Sequence, residues 1–313
     1  MRAGARSGIT GLSRRDVLRS CVLAAFAVPL SACREGYDDS PDPLSALVAA
    51  ARTDAESART ITGSGAEIAT AVAEVRAAHA HALQREVTRA NRPPAASPQL
   101  TPVTDLASLG ARLRTAAERA LTLMRTAPAH RAGLLGSVAA GCASAQALDD
   151  ALGDVSKPTF DPPKPSGELA DDVVGALQQA LASEHAALWV YELVTAFLPE
   201  TFDDSIGAAI DEHRGRKDTA TRLISDSGMM PVLAEPAYQP PKPVTDDVSA
   251  MAAVVSAEGD AATTWRGVLA RTSDATLRSY AADALRASAV HTTHWRAEAG
   301  MSPAAVALPG TPA

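Results

Sequence analysis

A stretch of 26 residues, Val173 to Leu198, constrains the fold of this chain more than any other segment. It contains no proline, and its only glycine lies near its start. Its apolar residues recur at the spacing of one face of an α-helix, namely Val174, Leu177, Leu181, Leu188 and Tyr191. Glu184 falls on the same face, where a carboxylate is costly unless it is paired or bound to a metal. The stretch therefore predicts a long core helix that carries a polar group into the core.

The composition extends the helical prediction to the whole chain. Alanine dominates the 313 residues, aromatic residues make up only 4%, and runs of β-branched residues are short, which together favour closely packed helices. The formal charge of −7 argues against a nucleic-acid partner, because proteins that bind nucleic acids present a basic face. We therefore expect an all-α protein that does not bind nucleic acid.

Residues 1–32 carry the features of a targeting signal. Arg14 and Arg15 lie in a segment, SRRDVLR, that resembles a twin-arginine export signal, and the apolar region after it is too short to span a bilayer. The next four residues, Leu30 to Cys33, match the bacterial lipobox at every position. We therefore expect cleavage before Cys33, a membrane-bound lipid on Cys33, and a lipoprotein on the outer face of the cytoplasmic membrane.

Removal of this signal changes the charge and the cysteine content of the mature chain. The signal contains five Arg and one Asp, so the net charge falls from −7 to −11. Residues 33–43 are acidic and turn-rich, which is typical of a tether. Cys142 is then the only free thiol of the sequence, so no intrachain disulfide is expected, and its Ala- and Gly-rich surroundings predict a small core residue.

Helical patterns divide the rest of the chain into two sets of four helices. They cover residues 44–61, 66–90, 105–126 and 129–152, and then 168–198, 203–227, 246–271 and 274–299. The Pro-rich segment 157–167 between the sets predicts a linker. We therefore expect an N-terminal bundle at 44–156, a C-terminal bundle at 168–300 and a loose tail at 301–313.

The two sets repeat each other. The pair Thr104-Asp105 recurs 141 residues later as Thr245-Asp246, and each pair follows a Pro-rich crossing and precedes a long helix, as an N-cap should. In both sets the link between the second and third helices is the long one. A ferritin-like bundle needs such a crossover because its second and third helices run parallel. The pattern predicts two tandem ferritin-like four-helix bundles.

Each helix of the C-terminal set places one metal-capable side chain on its apolar face. These side chains are Glu184, His213, Glu258 and His291. Groups at similar depth in a four-helix bundle converge, so we expect these four to meet in the core. Two carboxylates and two imidazoles suit iron, manganese or zinc. The sequence therefore predicts a candidate metal site without naming a reaction.

The complete ferritin-type set of six ligands is absent. That set needs a Glu-x-x-His motif on two helices, but Gly215 and Ser288 stand where the missing His and Glu would be. Tyr191, Glu212 and His294 could supplement the four ligands from the edges of their helix faces.

Two structural explanations compete with metal binding. The Glu and His side chains could satisfy one another in a buried polar layer, and Glu212 could pair with Arg216 one turn away on the surface. In the N-terminal set Glu56 takes the place of Glu184, whereas the other three positions are apolar, at Val75, Ala117 and about Ala145. We therefore expect the N-terminal bundle to be a structural or docking module.

The C-terminal half resembles a family of exported ferritin-like proteins that is catalogued as domain of unknown function 4439. The resemblance covers about residues 168–300 and is carried by Ser183–Ala187 with Tyr191, Glu212–Asp218, Pro243–Asp246 and Glu258. It implies a ferritin-like four-helix bundle, no established activity, and site positions at Glu184, His213 and Glu258. His291 rests on the helix pattern alone, and Lys217 departs from the expected Arg.

Three functions are compatible with the sequence. The first is an envelope protein that binds a metal or has a redox role through the C-terminal bundle. The second is a non-catalytic lipoprotein that binds an envelope protein partner or a small ligand, with a purely structural Glu/His layer. The third is a storage cage, which a lipid anchor and a tandem repeat would obstruct. These patterns assign no catalytic residue and no substrate.

Overall fold

A computed structural model describes residues 40–93 and 101–311 of the chain. These residues form eight α-helices and no β-strand, which confirms the all-α fold. The helices are α1 (Ser45–Thr60), α2 (Ala66–Ala90), α3 (Leu106–Thr126), α4 (Ala129–Gln146), α5 (Asp171–Val194), α6 (Asp203–Asp226), α7 (Asp247–Leu269) and α8 (Ala275–Glu298). In this part of the chain no helix combines the length and apolar character that crossing a membrane requires. The signal residues Arg14, Arg15 and Cys33 lie outside the described residues.

The helix ends follow largely from local sequence signals. Asp105 and Asp246 each accept a hydrogen bond from the backbone N–H three residues later, so both Thr-Asp pairs of the repeat begin a helix. An Asp at this position satisfies an N–H that the first turn leaves unpaired. The fourth helix ends at Gln146, six residues earlier than predicted, because Asp149 begins a separate 3₁₀ turn there.

The C-terminal set has the crossover that its Pro-rich segment predicts. Helices α5 and α7 are antiparallel, since Glu184 contacts Trp265 whereas Tyr191, further along α5, contacts the earlier Glu258. Helices α5 and α6 are also antiparallel, because Gln178 near the start of α5 bonds the backbone just beyond the end of α6. Helices α6 and α7 are therefore parallel to each other, and residues 227–246 connect opposite ends of the bundle.

The two sets of helices share a core. Helix α4 is buried almost all round, and it packs against α7 and α8 as well as α3 and α2. One apolar cluster contains Leu135 of α4, Leu177 of α5 and Leu285 of α8. The buried hydroxyls of Ser144 and Thr293 are 2.6 Å apart between α4 and α8. The expectation of two separate bundles, residues 44–156 and 168–300, is therefore not confirmed.

Arg278 joins the two sets at a helix end. This side chain of α8 is 2% exposed, and its Nη1 donates to the backbone oxygens of Met124, Arg125 and Ala127 over 2.8–3.1 Å. These oxygens belong to the C-terminal end of α3, where carbonyl groups have no partner within the helix. The C-terminal half thus supplies the cap of a helix in the N-terminal half.

The segment 157–167, which its composition predicts to be a linker, lies along the helices and contacts them. We call it the strap. Phe160 stacks edge-on against Tyr280 with ring centroids 5.8 Å apart, and both the backbone N–H and the hydroxyl of Ser166 bond Asp274. Because prolines stiffen an extended chain, such a segment can lie along the helices as readily as it can span a gap.

The prediction of a loose tail is also wrong for residues 301–311, which are packed against the helices. The Val306 N–H donates to Ser144 Oγ over 2.8 Å. Gly141 lies under Ala307, where a Cβ would collide with the Ala307 carbonyl oxygen. A glycine at this position of α4 is what allows the tail to approach the helix so closely.

Candidate functional site

The four predicted side chains do meet in the core of the C-terminal set. His213 lies between the two carboxylates, with Nδ1 2.6 Å from Glu184 Oε2 and Nε2 3.2 Å from Glu258 Oε1. His291 Nδ1 is 2.9 Å from the same oxygen of Glu258. Glu184, His213 and Glu258 are fully buried, whereas the side chain of His291 keeps 20% exposure. One chain of contacts therefore links α5, α6, α7 and α8.

Two further residues complete this layer, and the sequence patterns did not assign either of them to the site. The Trp265 indole N–H donates to Glu184 Oε1 over 2.6 Å. Arg216 Nε lies 3.4 Å from the same oxygen, and Arg216 Nη1 donates to the Ala284 carbonyl and to Ser288 Oγ. The surface pair of Glu212 with Arg216 is therefore wrong, because Arg216 is fully buried.

The position of Arg216 could have been found from helix spacing. It lies three residues after His213, so the two side chains share one face of α6. Arg216 Nη2 is 2.9 Å from His213 Nδ1. The neighbouring Lys217 points outward and reaches Asp218 at the surface over 3.2 Å.

The charged groups of the layer shift one another's pKa values. Burial and the Arg216 cation lower the pKa of His213, but the carboxylates of Glu184 and Glu258 outweigh them, so its pKa is raised. Burial also opposes ionisation of Glu184, yet Arg216 and His213 hold the pKa of Glu184 below its usual value. The layer therefore sets the His213 ring and the Arg216 guanidinium against two carboxylates.

Glu258 is bonded through one oxygen only. The Tyr191 hydroxyl donates to its Oε1 over 2.6 Å, in addition to the two histidines, whereas its buried Oε2 has no hydrogen-bond partner among the described residues. Despite burial, His213 and His291 hold the pKa of Glu258 well below its usual value. Burial and this carboxylate raise the pKa of Tyr191 well above its usual value, so the phenol stays a neutral donor. Tyr191 thus belongs to the polar layer as a hydrogen-bond donor.

Most donor atoms of this layer already contact one another, so they fit iron, manganese or zinc poorly. A metal needs a deprotonated imidazole nitrogen with a free lone pair, whereas both nitrogens of His213 face carboxylate oxygens. Both oxygens of Glu184 already accept contacts from Trp265, Arg216 or His213. In the described part of the chain no group of three or more His, Cys, Asp or Glu side chains is arranged to hold a metal ion.

The layer opens towards solvent at His291. Its Nε2 is 3.6 Å from Glu212 Oε2, and this buried oxygen has no hydrogen-bond partner among the described residues. His291 and His294 line two adjacent cavities of about 410 and 690 Å³, and Glu212 lines the larger one. These three residues therefore form the boundary between the buried layer and the cavities, and His294 makes no contribution inside the layer.

The larger cavity lies between the end of α4, residues 153–160 at the start of the strap, and helices α6 and α8. Arg286 in its wall is 8% exposed and is held by Asp283 Oδ1 and the Ser156 carbonyl, both through its terminal nitrogens. Its Nε has no partner in the described part of the chain. Two residues of the cavity wall, Arg286 and Glu212, thus each carry one buried polar atom without a partner among the described residues.

The N-terminal set has a polar cluster of its own, which the comparison of the repeats missed. Arg76 is 1% exposed and bonds Asp54 Oδ2 through Nε and Nη2, over 3.1 and 2.8 Å. Its Nη1 lies 3.0 Å from His79 Nδ1 and 3.6 Å from Cys142 Sγ. Glu56 is exposed, so the proposed counterpart of Glu184 is wrong and the buried carboxylate is Asp54.

This second cluster holds the tail. His79 Nε2 is 2.6 Å from the Ala307 carbonyl oxygen, so this nitrogen carries the proton and donates. Burial, followed by the Arg76 cation, lowers the pKa of His79 to about 3, and the ring stays neutral. Burial raises the pKa of the Cys142 thiol. Cys142 is thus an unreactive core residue, as the sequence predicts.

Comparison with known proteins identifies the C-terminal half. Residues 176–313 match the model of the family described as Domain of unknown function (DUF4439), and over these residues the chain belongs to that family. The chain is similar to the crystal structure of a conserved hypothetical protein, rv2844, from Mycobacterium tuberculosis. The two are 33% identical with a TM-score of 0.41, over 42% of this chain and 99% of that chain. Among curated proteins, none matches the chain.

Proposed function

We propose that this chain, with its domain of unknown function at residues 176–313, is an exported, lipid-anchored, ferritin-like protein that binds a small organic ligand. The ligand occupies the cavity of about 690 Å³ beside His291. The observation that carries the proposal is the pair of unpaired buried polar atoms in the wall of this cavity, Glu212 Oε2 and Arg286 Nε. Buried polar groups without partners are costly, so such atoms point to a molecule that satisfies them.

The size and the wall of the cavity support a small ligand over a protein partner. Sites for small molecules have volumes of roughly 300–1,000 Å³ and combine apolar walls with a few placed polar groups. Here Phe160 and Val290 supply apolar surface, and Glu212 supplies an acceptor for an N–H group. No reaction is proposed for this site.

The Glu/His layer has a structural role in this proposal. Arg216 lies between Glu184 and Ser288, and its contacts with the Glu/His cluster tie all four helices together beneath the cavity. The helix order, with antiparallel neighbours and one long crossover between parallel α6 and α7, supports a ferritin-like bundle.

The lipid anchor gives the first prediction. Replacing Cys33 with Ala is expected to abolish incorporation of labelled lipid, because the thioether can form only on that sulfur. The measurement is metabolic labelling of the exported protein with a radioactive fatty acid. Replacing Cys142 with Ala is the matched control and should leave the label unchanged, because this thiol is buried. Equal labelling of the wild type and the Cys33 variant would refute the anchor.

The cavity gives the second prediction. Protein exported by its own signal and analysed by native mass spectrometry should retain a small organic molecule and less than stoichiometric metal. Glu212→Gln should weaken retention about 10- to 100-fold, because a charge-assisted hydrogen bond contributes about 1.5–3 kcal/mol. The control is Glu192→Gln, which removes the same charge from an exposed position of α5 outside the cavity.

Two results would contradict this proposal. Equal retention by the Glu212 and Glu192 variants would place any bound molecule elsewhere. A stoichiometric metal that is lost in His213→Ala would restore the metal-binding interpretation of the layer. Native mass spectrometry of the three variants gives both results, so one type of measurement decides between the two functions.

A further inference from the structure

A short run after α6 exposes apolar side chains to an unusual degree. Met230 is 84% exposed, Leu233 79%, Met229 57% and Val232 37%. In the described part of the chain, one other large apolar side chain is this exposed, Val248 at the start of α7. We call residues 229–233 the apolar loop. Single exposed apolar residues are ordinary, whereas four within five residues mark an interaction surface.

The apolar loop is held in place and does not depend on a partner for its shape. The side-chain amide of Gln178 in α5 makes two hydrogen bonds to the backbone of the loop. The Gln178 Nε2 donates to the Met230 carbonyl and Oε1 accepts from the Val232 N–H, both over 2.7 Å. The Met229 N–H donates to the Ile224 carbonyl at the end of α6. The exposed side chains are therefore presented on a fixed backbone.

This bonding prepares the backbone for an apolar medium. In a bilayer each backbone polar group must be satisfied internally, because no water is available. In the loop the N–H groups of Met229 and Val232 and the carbonyl of Met230 are bonded, and Pro231 has no N–H to satisfy. These bonds lower the cost of moving this part of the backbone out of water.

We propose that the apolar loop inserts into the interfacial layer of a lipid bilayer and orients the protein on it. Residues 227–234 carry no charge, no aromatic ring and no polar side chain after Ser227. Protein interfaces surround an apolar centre with a polar rim, whereas an uncharged aliphatic tip without such a rim suits acyl chains. A lipid on Cys33 would bring the chain to the membrane, and the loop would add the second contact that stable orientation requires. The inference rests on the lipid anchor of the proposed function and not on the ligand cavity.

The chain offers a matched control for this proposal. Val248 is as exposed as Met229, but it begins α7, and the parallel α6 and α7 place it at the opposite end of the bundle from the apolar loop. In the lipidated mature protein the remaining thiol, Cys142, is buried. A cysteine introduced at position 230 or 248 is therefore the one reactive site for a fluorescent label.

The experiment uses the exported, lipidated protein in phosphatidylcholine vesicles. A label on Met230→Cys should be quenched by a quencher attached to the lipid chains and protected from aqueous iodide, whereas a label on Val248→Cys should show the reverse. Adding Leu233→Asp to the first variant should abolish lipid-phase quenching. The result should be the same at high salt and with anionic lipid, because the loop carries no charge.

Three outcomes would overturn the proposal. Iodide quenching at position 230 equal to that at 248 would place the loop in water. Protection that persists in detergent and rises with protein concentration would show that the occupant is a second copy of the chain. Quenching that appears only with anionic lipid would show that charge elsewhere on the protein, and not the apolar loop, sets its orientation.

Discussion

Replacing Glu184 with Ala is expected to destabilise the protein by about 3–5 kcal/mol, because it leaves a buried charge unpaired. Glu184 is fully buried and faces Trp265, His213 and Arg216. His213 can lose its proton when the carboxylate is gone, but a guanidinium cannot. Urea unfolding followed by circular dichroism measures the change.

Two companion variants test whether charge is the cause. Glu184→Ala combined with Arg216→Met should be more stable than Glu184→Ala alone, because the unpaired cation is removed with its partner. Glu192→Ala, at an exposed position two turns along the same helix, should change stability by no more than about 0.5 kcal/mol. A loss below about 1 kcal/mol for Glu184→Ala would show that the layer is hydrated and not closed.

The second large effect is expected in mild acid, where His79 should lower the stability of the folded protein. The pKa of His79 is about 3 in the folded protein, against 6.5 for an ordinary histidine. As the pH falls below 6.5 the unfolded chain takes up a proton that the folded protein does not. Stability should therefore fall by about 1.4 kcal/mol for each pH unit, or roughly 2 kcal/mol at pH 5.

The surroundings of His79 explain the direction. Arg76 and Cys142 face its Nδ1, the Ala307 carbonyl faces its Nε2, and Asp54 is already bonded to Arg76. A second proton on the ring would point at the Arg76 cation. Protonation is therefore coupled to loss of this cluster and of the tail contact.

A pair of histidines on α2 makes the acid test specific. His79→Gln keeps an N–H for the Ala307 carbonyl but cannot take up a proton, so it should flatten the dependence of unfolding free energy on pH between 6.5 and 5. His81→Gln changes an exposed ring two residues away and should leave the slope unchanged. An unchanged slope in His79→Gln would assign the acid sensitivity to other groups.

The buried layer of the C-terminal half should act in the opposite pH range. The pKa of His213 is raised above 6.5 in the folded protein, so its contribution to stability is complete below pH 6.5 and is lost as the pH rises through the raised value. Together the two histidines predict maximal stability near pH 6.5. The Glu184 and Glu258 carboxylates add a further loss of stability only below their ordinary pKa of 4.5.

Much of the fold could be predicted because its signals are local. The spacing of apolar residues placed all eight helices, and Asp105 and Asp246 marked two helix starts, because a cap acts within one turn. The polar positions Glu184, His213, Glu258 and His291 could also be predicted to converge, since a costly polar group on an apolar face needs partners from the neighbouring helices.

The nature of the site and the number of cores depended on contacts between distant parts of the chain. Ion pairs across helices cannot be read from the spacing within one helix, so the pairing of Arg216 with Glu184 and of Arg76 with Asp54 emerged only from the structure. The packing of α4 could not be predicted either. A helix that is apolar on every side can lie at the centre of one bundle or between two bundles. In the structure α4 packs on α7 and α8, and the tail at Ala307 contacts the N-terminal set, so the core is shared. Burying the apolar surface of α4 on every side favours this arrangement over two separate bundles. The sequence by itself thus determined the helices and their polar faces, and the tertiary structure decided which charges pair and which surfaces remain open.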